Sequence, residues 1–195
     1  TDSWTRKSNA SPHRDMPRII DHDARRRQIL EDSLGLFSTE SYAGLGMRHL
    51  AKSLGVSTGT LYHYFPNKPL LFEAMLRYLA QDNVAKAIGQ LDPAMTPATR
   101  LEIVQAFMEF QASRIRRVLW VAIDYRRTAG ESAEPLINEV LAVYRQALAD
   151  HLADGDLAKA DLLLNYVIGV LVYSGLNPKD GPLFGDLGAI LGAVR

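Results

Sequence analysis

Residues 53–68 read SLGVSTGTLYHYFPNK, a stretch that begins small and polar and ends aromatic. The small residues Ser57, Thr58, Gly59 and Thr60 would let the N-terminus of a helix come close to another molecule. The dipole of such a helix favours a phosphate at that end. The chemistry that this stretch suggests is therefore recognition of a nucleic acid, not the making or breaking of a bond.

Two short helices are predicted to position this stretch. MRHLAKSL (47–54) places its apolar residues on one face, and Gly55 follows it where a glycine can end a helix in the left-handed conformation. Val56 is expected to anchor the turn in the core, and Ser57 to cap a second helix that ends near Phe65. This is the spacing of a helix-turn-helix, and a helix about 10–12 Å across fits the major groove of DNA, which is about 12 Å wide.

The same residues resemble a known family. The run S-Y-x(4)-M-R-x-L-A-x-x-L-G-V-S-x-G-T-L-Y-x-Y-F-x-N-K-x-x-L, from Ser41 to Leu71, is similar to the DNA-binding half of the TetR family of bacterial transcriptional repressors. A first helix over Arg25–Phe37 fits the same pattern. The resemblance covers about Asp23–Leu71, and the later helices fit the family only in their number and length.

The resemblance implies roles for individual side chains in binding DNA. Phosphate contacts would position the protein, and contacts to base edges would select the sequence. Few side chains on the second helix are long and polar, so much of the selectivity is expected to come from methyl contacts, His63 and DNA shape. The implied DNA-binding residues are Arg48, Lys52, Ser57, Thr58, Gly59, Thr60, Tyr62, His63, Tyr64 and Lys68.

Two positions depart from the family pattern. Where the family places Thr or Ser before the first helix of the motif, this chain has Leu45 and Gly46, so we expect a weaker cap and one phosphate contact fewer. The family often has an acidic residue at the position of His49. These departures concern individual contacts and leave the motif intact.

Each of these assignments has a structural alternative. Leu61 and Phe65 lie four apart and are expected to hold the helix to the core instead of touching DNA. Tyr62 is as easily a packing residue as a contact. His63 and Lys68 have the alternative of being solvated surface residues.

Composition and charge leave the function open. The chain has 195 residues, no net charge and no cysteine. Residues 1–68 carry ten Lys or Arg against seven Asp or Glu, which is compatible with a polyanionic partner. No apolar leader opens the sequence, and the longest apolar run, 162–176, is shorter than the roughly 20 residues of a membrane span. We therefore expect a soluble, cytoplasmic protein.

The hydrophobic pattern is helical throughout and predicts an all-α fold of eight or nine helices. We expect a flexible arm over residues 1–22, a helix-turn-helix domain over 23–70 and an effector-binding and dimerisation domain over 71–195. The alternative for the arm is that its basic residues touch the DNA backbone. Further along, 98–127 reads as one long helix or two abutting ones, 129–135 as a break and 183–195 as a last helix.

By resemblance, the second domain would bind a small molecule. Apolar and aromatic residues with a few embedded polar groups are typical of such a pocket, and they suggest a lipophilic or aromatic effector. The bland alternative is that the aromatic residues are core and that Gln111, Asp124 and Asn165 are satisfied or exposed. The candidate pocket residues are Phe107, Met108, Gln111, Trp120, Asp124, Tyr144, Asn165 and Tyr166.

The last two predicted helices, 157–176 and 183–195, are too apolar to face water in a monomer. Glycines within them allow helices to approach closely. We expect a homodimer in which these helices form a two-fold four-helix interface. Such a dimer would hold two recognition helices about 34 Å apart, one turn of DNA.

Other functions are open to different degrees. The five histidines show no metalloprotease spacing, and no nucleophile elbow, phosphate-binding loop or cysteine nucleophile is visible, so we predict no enzyme activity, no cofactor and no metal site. An activator, or an architectural DNA-binding protein without a ligand, remains an alternative to a ligand-released repressor.

Overall fold

A computed structural model describes residues 21–177, 182–185 and 187–192. Within these ranges the chain is all-α, as the hydrophobic pattern predicts, and no strand occurs. Eight α-helices and one 3-10 turn follow one another: α1 His22–Thr39, α2 Met47–Ser53, α3 Thr58–Tyr64, α4 Lys68–Ile88, α5 Pro97–Ala129, the 3-10 turn Gly130–Ala133, α6 Glu134–Leu152, α7 Leu157–Leu176 and α8 Leu187–Gly192. The predicted arm lies outside the described residues except for its last two positions.

Helix α1 begins slightly earlier than its sequence suggests. Asp23 precedes the expected first helix and has the residue type of a cap, but it lies inside α1. The carboxylate of Asp21 is the cap and accepts from the backbone N–H groups of Asp23 and Ala24. An aspartate at the N-cap accepts hydrogen bonds from backbone N–H groups of the first turn, which have no partner within the helix. His22 is therefore the first residue of α1.

The middle of the chain follows its sequence pattern closely. Residues predicted as one helix or two form the single 33-residue helix α5. Gly130, with φ of +61°, ends this helix in a conformation that favours glycine, and Pro135 stands in the first turn of α6. The predicted break at 129–135 is thus confirmed, although the 3-10 turn nearly fills it.

The predicted last helix over 183–195 is wrong at its start, because α8 begins only at Leu187. Residues 183 and 184 do not give their N–H groups to a helix. The carboxylate of Glu109 on α5 accepts both, from Leu183 at 3.1 Å and from Phe184 at 2.7 Å. Phe184 is buried at this point and fixes the segment to α5.

Helix α7 spans 20 residues and is longer than the apolar run 162–176 that it contains. By length and composition alone it is apolar enough to cross a membrane, and 22% of its most apolar window is buried within the chain. It packs against α5, α6 and α8. A core or interface helix of a globular protein meets the same criterion, so this property does not assign a location.

The larger hydrophobic core joins the first three helices to the rest of the chain. It contains Leu61 of α3 and Phe72 of α4 together with Tyr125 of α5 and Val140 of α6. The rings of Phe72 and Tyr125 lie 4.4 Å apart. The proposed domain boundary at residue 70 falls in the first turn of α4, so the core is continuous across it.

Candidate DNA-binding face and ligand cavity

The turn between α2 and α3 is built as its sequence predicts. Gly55 has φ of +64°, and Val56 is partly buried against the core. The hydroxyl of Ser57 accepts from the backbone N–H of Thr60 at 3.0 Å and so caps α3. The local signals of this turn fix where α3 begins and in which direction it leaves the core.

Helix α3 has one buried and one open face. Leu61 is fully buried and Phe65 is 2% exposed, which confirms that both hold the helix down. Tyr62 is 46% exposed, and Gly59, Thr60 and His63 are exposed as well. None of the ten proposed DNA-binding residues is buried, so each side chain on this face is within reach of a partner.

The tip of α3 is held by two hydroxyl groups. Ser57 Oγ and Thr60 Oγ1 lie 2.8 Å apart, in addition to the capping bond. This arrangement occupies the hydroxyl of Thr60 and leaves its methyl group for an apolar contact, such as the methyl of a thymine. A Cβ at Gly59 would meet only Ser57 Oγ at 3.8 Å, so steric crowding does not require glycine there.

His22, expected in the arm, lies next to this face. Its Nδ1 lies 2.9 Å from the hydroxyl of Tyr64, and its ring centroid is 6.3 Å from that of His63. Arg26, one turn further along α1, places its guanidinium 5.1 Å from the ring of Phe65. Helical spacing within 22–39 puts His22 and Arg26 on one side, but only the packing of α1 on α3 shows which side that is.

Lys68 makes an internal contact that the sequence does not suggest. Its Nζ donates to the carbonyl of Tyr42 at 2.8 Å and lies 4.4 Å from the centre of that ring. Partial burial lowers the pKa of the Lys68 ammonium from its ordinary value. The ammonium group that is proposed to contact phosphate therefore also links α4 to the loop before α2.

Helix α2 presents its basic side chains to solvent. Arg48 and Lys52 are both exposed. Gly46 is the N-cap and makes no side-chain capping bond, while Leu45 is 2% exposed in the core. This chain therefore lacks the capping hydroxyl of the family pattern, and Leu45 is buried in the core instead. His49 Nε2 lies 3.4 Å from Glu40 across the α1–α2 loop.

A cavity of about 650 Å³ lies between α4, α5, α6 and α7. Its wall is almost entirely hydrocarbon, and its polar side chains are few. Three of the predicted pocket residues, Phe107, Met108 and Tyr144, are part of the wall. Its full lining comprises Leu76, Asn83, Val84, Ala87, Ile88, Leu91, Val104, Phe107, Met108, Ile115, Val118, Leu119, Ala122, Ile123, Arg126, Arg127, Ile137, Val140, Leu141, Tyr144, Ala147, Leu148, His151, Leu152, Leu164, Val167, Ile168 and Leu171.

The other predicted pocket residues lie outside this wall. Trp120 packs on the other side of α5, against Gly175 of α7, and Asp124 accepts a hydrogen bond from the backbone of Tyr42. Asn165 is exposed. Tyr166 lines a separate cleft of about 340 Å³, and its hydroxyl accepts from the N–H of Gly185. Gln111 is partly buried and is not part of either lining.

A polar cluster borders the cavity, and two of its members, Asn83 and Tyr144, line the wall. Asn83 of α4 is 3% exposed and donates through Nδ2 to the hydroxyl of Tyr144 at 3.2 Å. Arg114 of α5 donates to Asn83 Oδ1 at 2.8 Å and to Asp82 at 3.1 Å. Asn83 and Arg114 were missed because an asparagine or arginine within a helical pattern gives no signal of burial.

An exposed recognition helix, held by a glycine turn on a helical body with an internal cavity, defines a helix-turn-helix DNA-binding transcription regulator. Residues 29–75 match the family described as bacterial regulatory proteins, tetR family. This match covers the helix-turn-helix part of the chain.

Two curated proteins and one solved structure are similar to this chain over most of its length. The HTH-type transcriptional regulator PksA of Bacillus subtilis is 27% identical over 175 residues, 84% of each chain. The nucleoid occlusion factor SlmA of Actinobacillus pleuropneumoniae is 28% identical over 170 residues, 86% of this chain and 74% of that protein. The crystal structure of FadR from Bacillus subtilis in complex with stearoyl-CoA superposes with a TM-score of 0.69 at 18% identity, over 85% of this chain and 95% of that one, which shows a shared fold.

Proposed function

We propose that this regulator is a repressor that binds an operator through α2 and α3 and is released from it by a lipophilic small molecule. The observation that carries the proposal is the apolar cavity, because its wall includes α4. Three residues separate the start of this helix from the end of α3. A ligand that changes the position of α4 would therefore change the position of the recognition helix.

The size and lining of the cavity support a lipophilic ligand. A volume of about 650 Å³ lies within the range of about 300–1,000 Å³ that is usual for ligand pockets. Burial of hydrocarbon surface would supply the binding free energy, at roughly 25 cal/mol per Å² of apolar area. FadR of Bacillus subtilis, which has the same fold, was crystallised with stearoyl-CoA, a molecule with a long hydrocarbon chain.

The proposal includes a homodimer in the cytoplasm, formed through α7 and the segment 183–195. Exposed apolar side chains on α7 support it, with Leu157 and Leu162 each 41% exposed and Leu176 73% exposed. Unpaired apolar residues on one helix are typical of an interface between copies. Two copies would present two recognition helices to a palindromic operator.

The test has two stages. DNA that binds the full chain is first selected from a random pool, and binding to the selected site is measured by fluorescence anisotropy. A set of apolar compounds is then screened for release of the protein from that site. Release by apolar compounds supports the proposal, whereas release by highly charged compounds alone would contradict it.

The second candidate is an architectural DNA-binding protein without a ligand, and the similarity to the nucleoid occlusion factor SlmA favours it. Selection would then give no discrete site, and binding to random DNA would fall steeply with salt. An activator would bind a discrete site as a repressor does, so a reporter gene behind the selected site distinguishes those two.

A further inference from the structure

The hydroxyl group of Tyr144 is a polar point in the hydrocarbon wall of the cavity. Tyr144 comes from α6 and Asn83 from α4, and both side chains line the space between those helices. Val140 and Leu148, one turn before and after Tyr144 on α6, are apolar and line the same space. A ligand in the cavity would therefore meet this hydroxyl in the middle of an apolar surface.

The hydrogen bonds around Asn83 fix which partner gives the proton. Arg114 has only donors, so the atom of Asn83 that faces it at 2.8 Å has to be the carbonyl oxygen. The amide nitrogen of Asn83 then faces Tyr144 and donates to its oxygen at 3.2 Å. The Tyr144 hydroxyl therefore acts as an acceptor here, and it donates to no partner among the described residues.

The charges near this hydroxyl are already paired. Asp82 accepts from Lys86 at 2.7 Å and from Arg114 at 3.1 Å, so neither cation is left for a ligand carboxylate. Burial raises the pKa of Tyr144, which keeps the hydroxyl protonated and able to donate at neutral pH. An unpaired anion next to the hydroxyl would lose its hydration without gaining a partner there. Arg126 and Arg127, elsewhere in the wall, already bond Glu134 and Asp124.

We propose that Tyr144 is the hydrogen-bond donor that selects the ligand, and that the ligand is a mainly hydrocarbon molecule bearing an uncharged oxygen acceptor, such as a ketone, ester or ether. The inference rests on the ligand-binding half of the proposed function. A site that offers a buried donor discriminates against molecules that leave it unpaired. Tyr144 is thus a specificity-determining residue.

A double-mutant cycle between ligand and protein tests this inference. Displacement of the neutral dye Nile red from the full chain gives the affinities of 2-octanone, octane and octanoate for the wild type and for Tyr144→Phe. The probes are short compared with the cavity, so the carbonyl of 2-octanone is able to slide to the hydroxyl. The cycle cancels the different solubilities of the ketone and the alkane.

We expect Tyr144→Phe to lower the affinity for 2-octanone about fivefold, as loss of one hydrogen bond implies, and to leave the affinity for octane unchanged. Octanoate should bind more weakly than 2-octanone to the wild type. Tyr78→Phe is the matched control, because the Tyr78 hydroxyl bonds Glu31 outside the cavity, and it should leave all three affinities unchanged.

The outcomes separate this inference from the proposed function. Equal effects of Tyr144→Phe on the ketone and the alkane would overturn the role of the hydroxyl while leaving an apolar ligand site in place. Tighter binding of octanoate than of 2-octanone would contradict the proposal that the ligand bears an uncharged acceptor. Failure of all three probes to displace the dye would instead contradict the ligand-binding half of the proposed function.

Discussion

The carboxylate of Asp124 accepts a hydrogen bond at 2.8 Å from the backbone N–H of Tyr42, 82 positions earlier in the chain. The same carboxylate accepts from Arg127 at 2.8 Å through its other oxygen. Tyr42 in turn packs its ring against Tyr125, with centroids 4.8 Å apart, and its carbonyl receives the ammonium of Lys68. Helix α5, which forms part of the cavity wall, is thereby fastened to the loop that precedes α2.

Asp124→Ala should lower the free energy of unfolding by about 1–2 kcal/mol, because it leaves the Tyr42 N–H without its acceptor in a partly buried place. Asp124→Asn keeps an oxygen at the same position and should lower the free energy of unfolding clearly less. Urea denaturation of the three proteins gives the comparison. Equal stability of the alanine variant and the wild type would show that the bond to Tyr42 contributes nothing.

The same pair predicts a dependence on pH. The bonds from Arg127 and from the Tyr42 N–H hold the pKa of Asp124 below its ordinary value of 3.8. A folded-state pKa that is depressed gives stability above the unfolded pKa and loses it as the pH falls through the folded value. The stability difference between the wild type and Asp124→Ala should therefore be constant near neutrality and shrink below about pH 4. A difference that stays constant down to pH 2 would contradict the ionised carboxylate as the acceptor.

Local signals in the sequence predicted the recognition motif because its geometry is set within a few residues. Gly55, Ser57 and Asn67 each end or cap a helix through neighbours no more than three positions away. Asp124 could not be placed in this way, since its partner is 82 positions distant. Its polar side chain within an apolar run looks the same whether it faces a ligand or fastens two domains.

The cavity shows the same limit in another form. Helical spacing identifies which residues of α5 share a face, but not which face meets α4 and α6. Phe107 and Met108 lie on the face that lines the cavity, whereas Trp120 lies on the face that meets α7. Both faces are aromatic and apolar, so composition does not distinguish them, and only the packing of the four helices does.

Alkaline pH should weaken the contact between α4 and α1. Burial and the hydrogen bond to Glu31 raise the pKa of Tyr78 to about 12 from its ordinary value of 10.0. The unfolded chain then releases this proton before the folded chain does, so the stability that the contact gives is complete below pH 10 and declines as the pH rises towards 12. The stability advantage of the wild type over Tyr78→Phe, measured by urea denaturation, should follow this decline. An advantage that does not change up to pH 12 would contradict the assignment.

Gly175 of α7 leaves little room for a Cβ next to Trp120. A Cβ at this position would lie 3.1 Å from Trp120 Nε1 and 3.2 Å from Trp120 Cζ2. Gly35 of α1, by contrast, has nothing within 4 Å of such an atom. Alanine in a helix gains about 0.5–1 kcal/mol over glycine where space allows. We expect Gly35→Ala to raise the melting temperature and Gly175→Ala to leave it unchanged or lower it. A rise of equal size in both would show that Trp120 moves aside freely.

Substitutions of Arg48, Lys68 and His63 should differ in their effects on DNA binding and on protein stability. Arg48→Ala removes an exposed cation, so it should weaken binding to all sequences alike, reduce the salt slope by about 1 and leave the stability unchanged. Lys68→Ala should weaken DNA binding too, but it should also lower the melting temperature, because Nζ bonds the Tyr42 carbonyl. His63→Ala, in contrast, should change the preference among operators. Anisotropy titrations at several salt concentrations, with thermal unfolding of each variant, distinguish these outcomes, and identical behaviour of all three would contradict the division.

The exposed apolar side of α7 predicts the effect of a charge on assembly. Leu176 is 73% exposed, and a glutamate there would bring an unpaired charge into the proposed interface. We expect Leu176→Glu to shift the protein from dimer to monomer in analytical ultracentrifugation and to weaken operator binding, since a monomer holds only one recognition helix. Leu70→Glu is the matched control for assembly, because Leu70 is 45% exposed but lies in the first turn of α4, away from α7. A wild type that sediments as a monomer at micromolar concentration, or a Leu176→Glu variant that remains dimeric, would contradict the proposed interface.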